Sequence, residues 1–299
     1  MQNITQPEYP DATSVVCHDA GSANIVIANL LETGRHDWRA YMKGPAENVW
    51  NTVYPDINLC ESLDSTLEQA ELLVTGTGWQ SNVEHDARKM ARERGIHSVA
   101  VIDHWVNFEE RFIRESETVW PDEFWVTDDY ALEIAQQSFP DQCVRQVPNY
   151  YTQSQMQIIS EVKQNDPPEL LYLLEPMRDD WGRGKAGEFQ ALDYFVSRLP
   201  ELELPADTVI RLRLHPSEAS GKYSEWVHMH STLDIRMDDA DNLGQAIGVS
   251  TWLAGCETSA LALGLMAGRK VYCTLPPWAP VCQLPHQGLI HLALQDLVR

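Results

Sequence analysis

The chain is patterned as short apolar runs separated by longer segments of mixed polarity. Residues 13–17 (TSVVC) are such a run, too short for a helix, and they predict a buried strand. Small and polar residues follow over 18–24, and the spacing of apolar residues over 25–31 predicts a helix ending near Gly34. The same succession returns at 72–75, a strand that leads through Gly76-Thr77-Gly78 into a helix over 82–94. That helix has a basic last turn and stops at Gly95. Strands over 98–102 and 123–126, and a helix over 127–137 capped by Thr127 or Asp128, complete a first series.

Residues 148–169 hold a polar helix and then Asn-Asp-Pro-Pro, which predicts a link between two domains, 1–155 and 156–299. Beyond it, strands are predicted over 170–174, 209–214, 249–254 and 270–274. Helices are predicted over 188–199, 239–247 and 259–267, with a helical C-terminal stretch over 286–299. Strand and helix alternate closely in both halves, which predicts an α/β protein with two Rossmann-like, doubly wound domains. No sequence repeat links the halves.

Length agrees with two domains, since 299 residues exceed the usual single-domain size. A net charge of −22 argues against nucleic acid or an anionic membrane as the main partner. It leaves room for a phosphate ligand, which needs only a local group of cations and backbone N–H donors. No apolar run reaches the length of a membrane span, and residues 1–14 lack the features of a signal peptide. Six cysteines lie scattered with no CxxC pair, which reads as buried free thiols in a reducing cytoplasm. No metal-type spacing of His, Cys and Asp is visible, so neither metal nor cofactor is expected. Ten tryptophans are spread too widely to define a dimer patch, so the oligomeric state is not legible.

Open α/β sheets bind ligands at the carboxyl ends of their strands. Three predicted strand ends of the second half are polar. One runs from Glu175 through Arg178 to the glycine-rich stretch with Arg183 and Lys185. The second is Arg211-Leu-Arg213-Leu-His215-Pro216-Ser217-Glu218, and the third is Gly255-Cys-Glu257-Thr258-Ser259. Thr258 and Ser259 suit the start of a helix that faces a phosphate, or serve only as caps. His215 can donate to a phosphate oxygen or a sugar carboxylate, or be structural beside Pro216. Glu257 can accept ribose hydroxyls. Arg178, Arg183 and Lys185 can neutralise phosphate, and Arg213 is a further donor-site candidate; Arg211 and Arg213, alternating in a strand, can also be ordinary surface charges.

At these residues the chain resembles the GT-B glycosyltransferases, and among them the bacterial enzymes that use CMP-linked sialic acid or Kdo. His215-Pro216 is similar to their His-Pro motif. Glu257-Thr258-Ser259, followed by Gly264 and Gly268-Arg-Lys270-Val271, is similar to their downstream Ser/Thr motif and closing helix and strand. The resemblance covers roughly residues 170–280 and implies a nucleotide-sugar donor held by the second domain. It implies an inverting, metal-independent transfer to a saccharide acceptor, in surface polysaccharide or glycoconjugate synthesis.

The first domain should then hold the acceptor and a base, since inverting transfer needs a carboxylate or imidazole near the acceptor hydroxyl. His18-Asp19-Ala20-Gly21-Ser22 and Asp103-His104-Trp105 supply candidates, with Gly76-Thr77-Gly78-Trp79 as a third loop. Asp19 is the first choice for base, with Asp103 behind it, and His18 is a further catalytic candidate. Gly21, Ser22, Thr77, His104 and Trp105 are candidates for the acceptor site. Asp19 has an alternative role as a helix cap, and Trp105 as a packing residue. Rival readings are a sugar-nucleotide epimerase or hydrolase, a CDP-polyol phosphotransferase, and a non-catalytic subunit that binds a nucleotide or a protein. Against the epimerase stands the lack of an Asp-Ser-Gly-Gly run where Gly255–Ser259 lies.

Overall fold

A computed structural model of the chain describes Ile4 and residues 6–78, 81–177 and 179–297. It divides into two compact units, Met1–Thr152 and Gln153–Arg299.

In the first unit, β1 (Thr13–Cys17) leads into α1 (Ala20–Leu31). Next come β2 (Arg39–Met42), α2 (Pro45–Val53), the single turn α3 (Leu63–Thr66) and β3 (Leu72–Thr75). Then follow α4 (Val83–Arg94), β4 (His97–Val101) and a small antiparallel pair, β5 (Ile113–Arg114) and β6 (Glu117–Thr118). β7 (Glu123–Val126), α5 (Asp129–Ser138) and β8 (Cys143–Gln146) close the unit. The main sheet is parallel, in the order β2-β1-β3-β4-β7-β8. β1, β3 and β7 are buried along their whole length, as strands covered by helices on both faces must be. β1 is the first strand in the chain yet lies inside the sheet, so the connections reverse direction between β1 and β3. At such a switch point the loops diverge and leave a crevice.

Helix α6 (Tyr150–Glu161) leads into the second unit, where β9 (Glu169–Leu173), α7 (Gly187–Arg198) and β10 (Val209–Arg213) follow. After them come α8 (Ser224–Met229), β11 (Ile235–Met237), α9 (Leu243–Val249) and β12 (Trp252–Gly255). α10 (Ala260–Met266), β13 (Lys270–Cys273) and the short edge strand β14 (Ile290–His291) end the series. The parallel order β11-β10-β9-β12-β13-β14 puts the switch point between β9 and β12. The two Rossmann-like, doubly wound units are those the strand–helix alternation predicts.

Several elements escape the sequence pattern. α1 begins at Ala20 rather than 25, because Gly21, Ser22 and Ala23 are helical without looking amphipathic. β2, α2, β8, α8 and β11 are too short or too mixed to show a period. Among the described residues of the predicted C-terminal helix, 286–297 hold β14 and a 3-10 turn instead of an α-helix. Arg211 on β10, which could pass for a surface charge, is buried and forms ion pairs with Glu169 and Asp238 at 2.7 Å each. Among the described residues no helix is long and apolar enough to cross a membrane.

Candidate active site

The carboxyl edge of the first sheet gathers titratable groups from two strand ends and one helix. His18 and Asp19 follow β1, with His18 Nδ1 2.8 Å from Asp19 Oδ1. Asp19 occupies the N-cap position of α1 but makes no capping bond with its side chain. Its carboxylate meets the imidazole instead of the helix N–H groups.

Glu84, in the first turn of α4, lies beneath them, fully buried. Its Oε1 accepts the His18 backbone N–H at 3.0 Å, and its Oε2 has no hydrogen-bond partner among the described residues. Burial, and next the neighbouring Asp19 carboxylate, push the Glu84 carboxyl up to about 8. It is thus a neutral acid at pH 7, poised beside an acceptor group. Arg88, one turn on, is also fully buried; burial lowers its guanidinium to about 10. It donates to Thr75 Oγ1 at 3.1 Å and to the Gly76 carbonyl at 3.2 Å, which fixes the loop after β3.

Asp103, just after β4, accepts from Arg111 Nη1 at 3.1 Å. Arg111 also donates to the Thr77 hydroxyl and carbonyl, and Arg114 donates to the Gly78 carbonyl at 2.9 Å. Two glycines make this crowding feasible. A Cβ on Gly21 would stand 2.1 Å from Asp103 Oδ2. One on Gly78 would stand 2.4 Å from Asp19 Oδ2 and 2.8 Å from Glu84 Oε2. The loop backbone thus approaches the carboxyl groups more closely than any side chain permits.

His18, Asp19, Gly21 and Asp103 come together here with Glu84, which the sequence reading missed. The readable signal was Glu84 and Arg88 at helical spacing in a helix that directly follows a strand-end loop. Ser22 is buried under the loop, within 3.5 Å of the Asp19 carbonyl. Thr77 is fully buried and donates to the Val101 carbonyl, so its hydroxyl faces inward, away from the acceptor role considered for it. Trp105 is half-buried and donates to both Asp128 oxygens, at 3.0 and 3.1 Å, and its ring lies beside His104. Asp128 also caps α5. Trp79 lies outside the described residues. A cavity of about 510 Å³ lined by Glu61, Asp64, Asp86 and Glu93 shares no residue with this cluster.

In the second unit, the ends of β9, β10 and β12 carry Glu175, His215 and Glu257. The Glu257 N–H donates to Glu175 Oε2 at 2.9 Å, so a resident carboxylate sits where the sequence reading put a phosphate. Burial raises the Glu175 carboxyl to about 7 and raises Glu257 as well. Thr258 and Ser259 are half-buried beside it, and Ser259 makes no capping bond with its side chain. His215 Nδ1 lies 2.8 Å from Ser217 Oγ, and the His215 N–H donates to Glu218. Pro216 is exposed at the turn. Glu218 in turn binds Lys222 at 2.7 Å and the Tyr223 hydroxyl at 2.6 Å.

The other expected phosphate ligands go elsewhere. Arg213 pairs with Asp238 and the Ala240 carbonyl. Lys185 pairs with Asp193, and Arg183 lies 3.9 Å over the Trp278 ring. Both line a cavity of about 350 Å³ beside α7 that includes neither His215 nor Thr258. Arg178 lies outside the described residues.

No protein-family model matches the chain, and no curated protein matches it. Solved structures share its fold. The UDP-GlcNAc 2-epimerase from Methanocaldococcus jannaschii matches with a TM-score of 0.63 at 12% identity, covering 96% of this chain and 91% of that one. The UDP-GlcNAc 2-epimerase from Neisseria meningitidis, solved bound to UDP-GlcNAc, gives 0.62 at 11% identity over 91% and 84%. The wall teichoic acid polymerase TagF gives 0.51 at 12% identity over 87% and 69%. At these identities the likeness is one of fold.

Proposed function

We propose that this chain is an enzyme acting on a sugar linked to a pyrimidine nucleotide, and that it is an inverting glycosyltransferase. The observation that carries this is the convergence of His18, Asp19, Glu84 and Asp103 at the switch point of the first sheet. Burial keeps a proton on Glu84, and the Asp19 side chain, 27% exposed, lies open to an acceptor hydroxyl. Asp19 takes the hydroxyl proton as the acceptor oxygen bonds to the anomeric carbon. The bond from that carbon to the phosphate oxygen breaks, and its electron pair leaves with the nucleotide. His18 orients Asp19 through Nδ1, and Asp103 is held back by Arg111.

The second unit would hold the nucleotide at the β9–β12 switch point, with Glu257 on the ribose and His215, Thr258 and Ser259 on the phosphate. Donors fixed in advance around developing phosphate charge are where such a site gains most. The phosphate would displace Glu175 from the Glu257 N–H. A CMP-linked donor is supported by the His215-Pro216 resemblance, and a UDP-linked donor by the neighbour solved with UDP-GlcNAc. That neighbour also favours a second reading, proton-transfer chemistry on the sugar itself, since a neutral Glu84 beside Asp19 is an acid–base pair.

The test is a thermal-shift screen of CMP, UDP, CDP and GDP against the wild type and His215→Ala, followed by NMR of the matching sugar nucleotide. Ligand at 100 times its dissociation constant adds about 2.7 kcal/mol to the folded state. Donor consumption that requires a saccharide acceptor supports transfer. A new sugar isomer formed without acceptor supports the second reading. Binding by none of the four refutes both and favours a non-catalytic subunit.

A further inference from the structure

The β13–β14 edge of the second unit carries a second group of converging side chains. Cys273 ends β13, Cys282 lies in the following loop, and His291 ends β14. Cys273 and His291 are register partners across the parallel pair, so their side chains leave the same face of the sheet. The loop returns Cys282 to that face. One ligand atom from each of the three lies within 4.8 Å of the other two. Donors around a tetrahedral zinc ion, with Zn–S of about 2.3 Å and Zn–N of about 2.0 Å, stand about 3.5–3.8 Å apart. The observed spread exceeds that by no more than about 1 Å.

We infer that Cys273, Cys282 and His291 form a zinc site that fastens β14 and the loop over 274–289 to β13. Two thiolates and an imidazole are a borderline-soft donor set that selects zinc over magnesium or calcium. On binding, both thiol protons pass to solvent, two Zn–S bonds and one Zn–N bond form, and the fourth position is left to water.

The consequence reaches the candidate nucleotide site, because the Gln283 N–H, next to Cys282, donates to Glu257. The metal would hold the loop that positions Glu257.

The test uses the full chain, purified untagged under reducing conditions and titrated with zinc against a chromophoric chelator. Uptake of about one equivalent is expected, with thiolate-to-metal charge-transfer absorption on cobalt substitution. Cys282→Ser and His291→Asn, at half-buried positions that should tolerate exchange, should each weaken binding at least tenfold. Cys60→Ser should leave binding unchanged. Absence of uptake by the reduced wild type, or equal uptake by the Cys282→Ser/His291→Asn double variant, overturns the site. So does uptake without the charge-transfer band.

Discussion

The proton on Glu84 makes the sharpest prediction, because its cost is visible in stability. The folded carboxyl titrates near 8, against an ordinary value of 4.5. Between those limits the folded protein keeps a proton that the unfolded chain has lost. Stability therefore falls as pH rises, by about 1.36 kcal/mol per pH unit. Over the whole interval this amounts to about 5 kcal/mol, a large share of the usual 5–15 kcal/mol of a domain. Below pH 4.5 the penalty is absent. Glu84→Gln removes the titration while keeping an oxygen for the His18 N–H. Urea unfolding of both proteins at pH 5 and pH 8, followed by tryptophan fluorescence, gives the two slopes. The first unit carries buried reporters in Trp38, Trp50 and Trp125. Other groups, Glu175 included, titrate alike in both proteins and cancel in the difference. The wild type should lose several kcal/mol between these pH values relative to the variant. Parallel profiles would mean that Glu84 holds no proton at neutral pH, and the acid–base pairing with Asp19 would fall with it.

Gly78→Ala should cut turnover by about a hundredfold with nucleotide binding retained, since its Cβ displaces Asp19 and Glu84 by about 1 Å; steady-state kinetics checks it. Nucleotide affinity should weaken up to about tenfold per pH unit above 7, where Glu175 ionises and competes with phosphate for the Glu257 N–H. Glu175→Gln should flatten that dependence in calorimetric titrations. Arg211→Ala should cost about 3–5 kcal/mol by leaving Glu169 buried without its partner and Asp238 with Arg213 alone, measured by denaturant unfolding. Asp128→Ala should cost about 1–2 kcal/mol through the lost α5 cap and the freed Trp105 N–H, visible as a lower melting temperature.

Much of the fold is legible in the sequence because local physics writes it there. TSVVC and LLVT can only be short buried strands, the loops after them are small and polar, and α4 announces itself by its basic last turn. The same local logic finds His18, Asp19 and Asp103, since each directly follows a predicted strand in an α/β chain. It does not find what the chain brings together from a distance. Glu84 looks like an ordinary charge in a first helical turn until the helix packs its carboxyl under His18, where loss of water keeps its proton on. Arg213 and Lys185 look like phosphate ligands until Asp238 and Asp193, each remote in sequence or a helix away, take them. Cys273, Cys282 and His291 have no recognisable spacing, and only the register of β13 on β14 puts them on one face. Hydrophobic period, turn residues and net charge are properties of neighbours along the chain, so sequence alone determines them. Burial, ion pairing and ligand geometry are properties of neighbours in space, and the tertiary structure decides them.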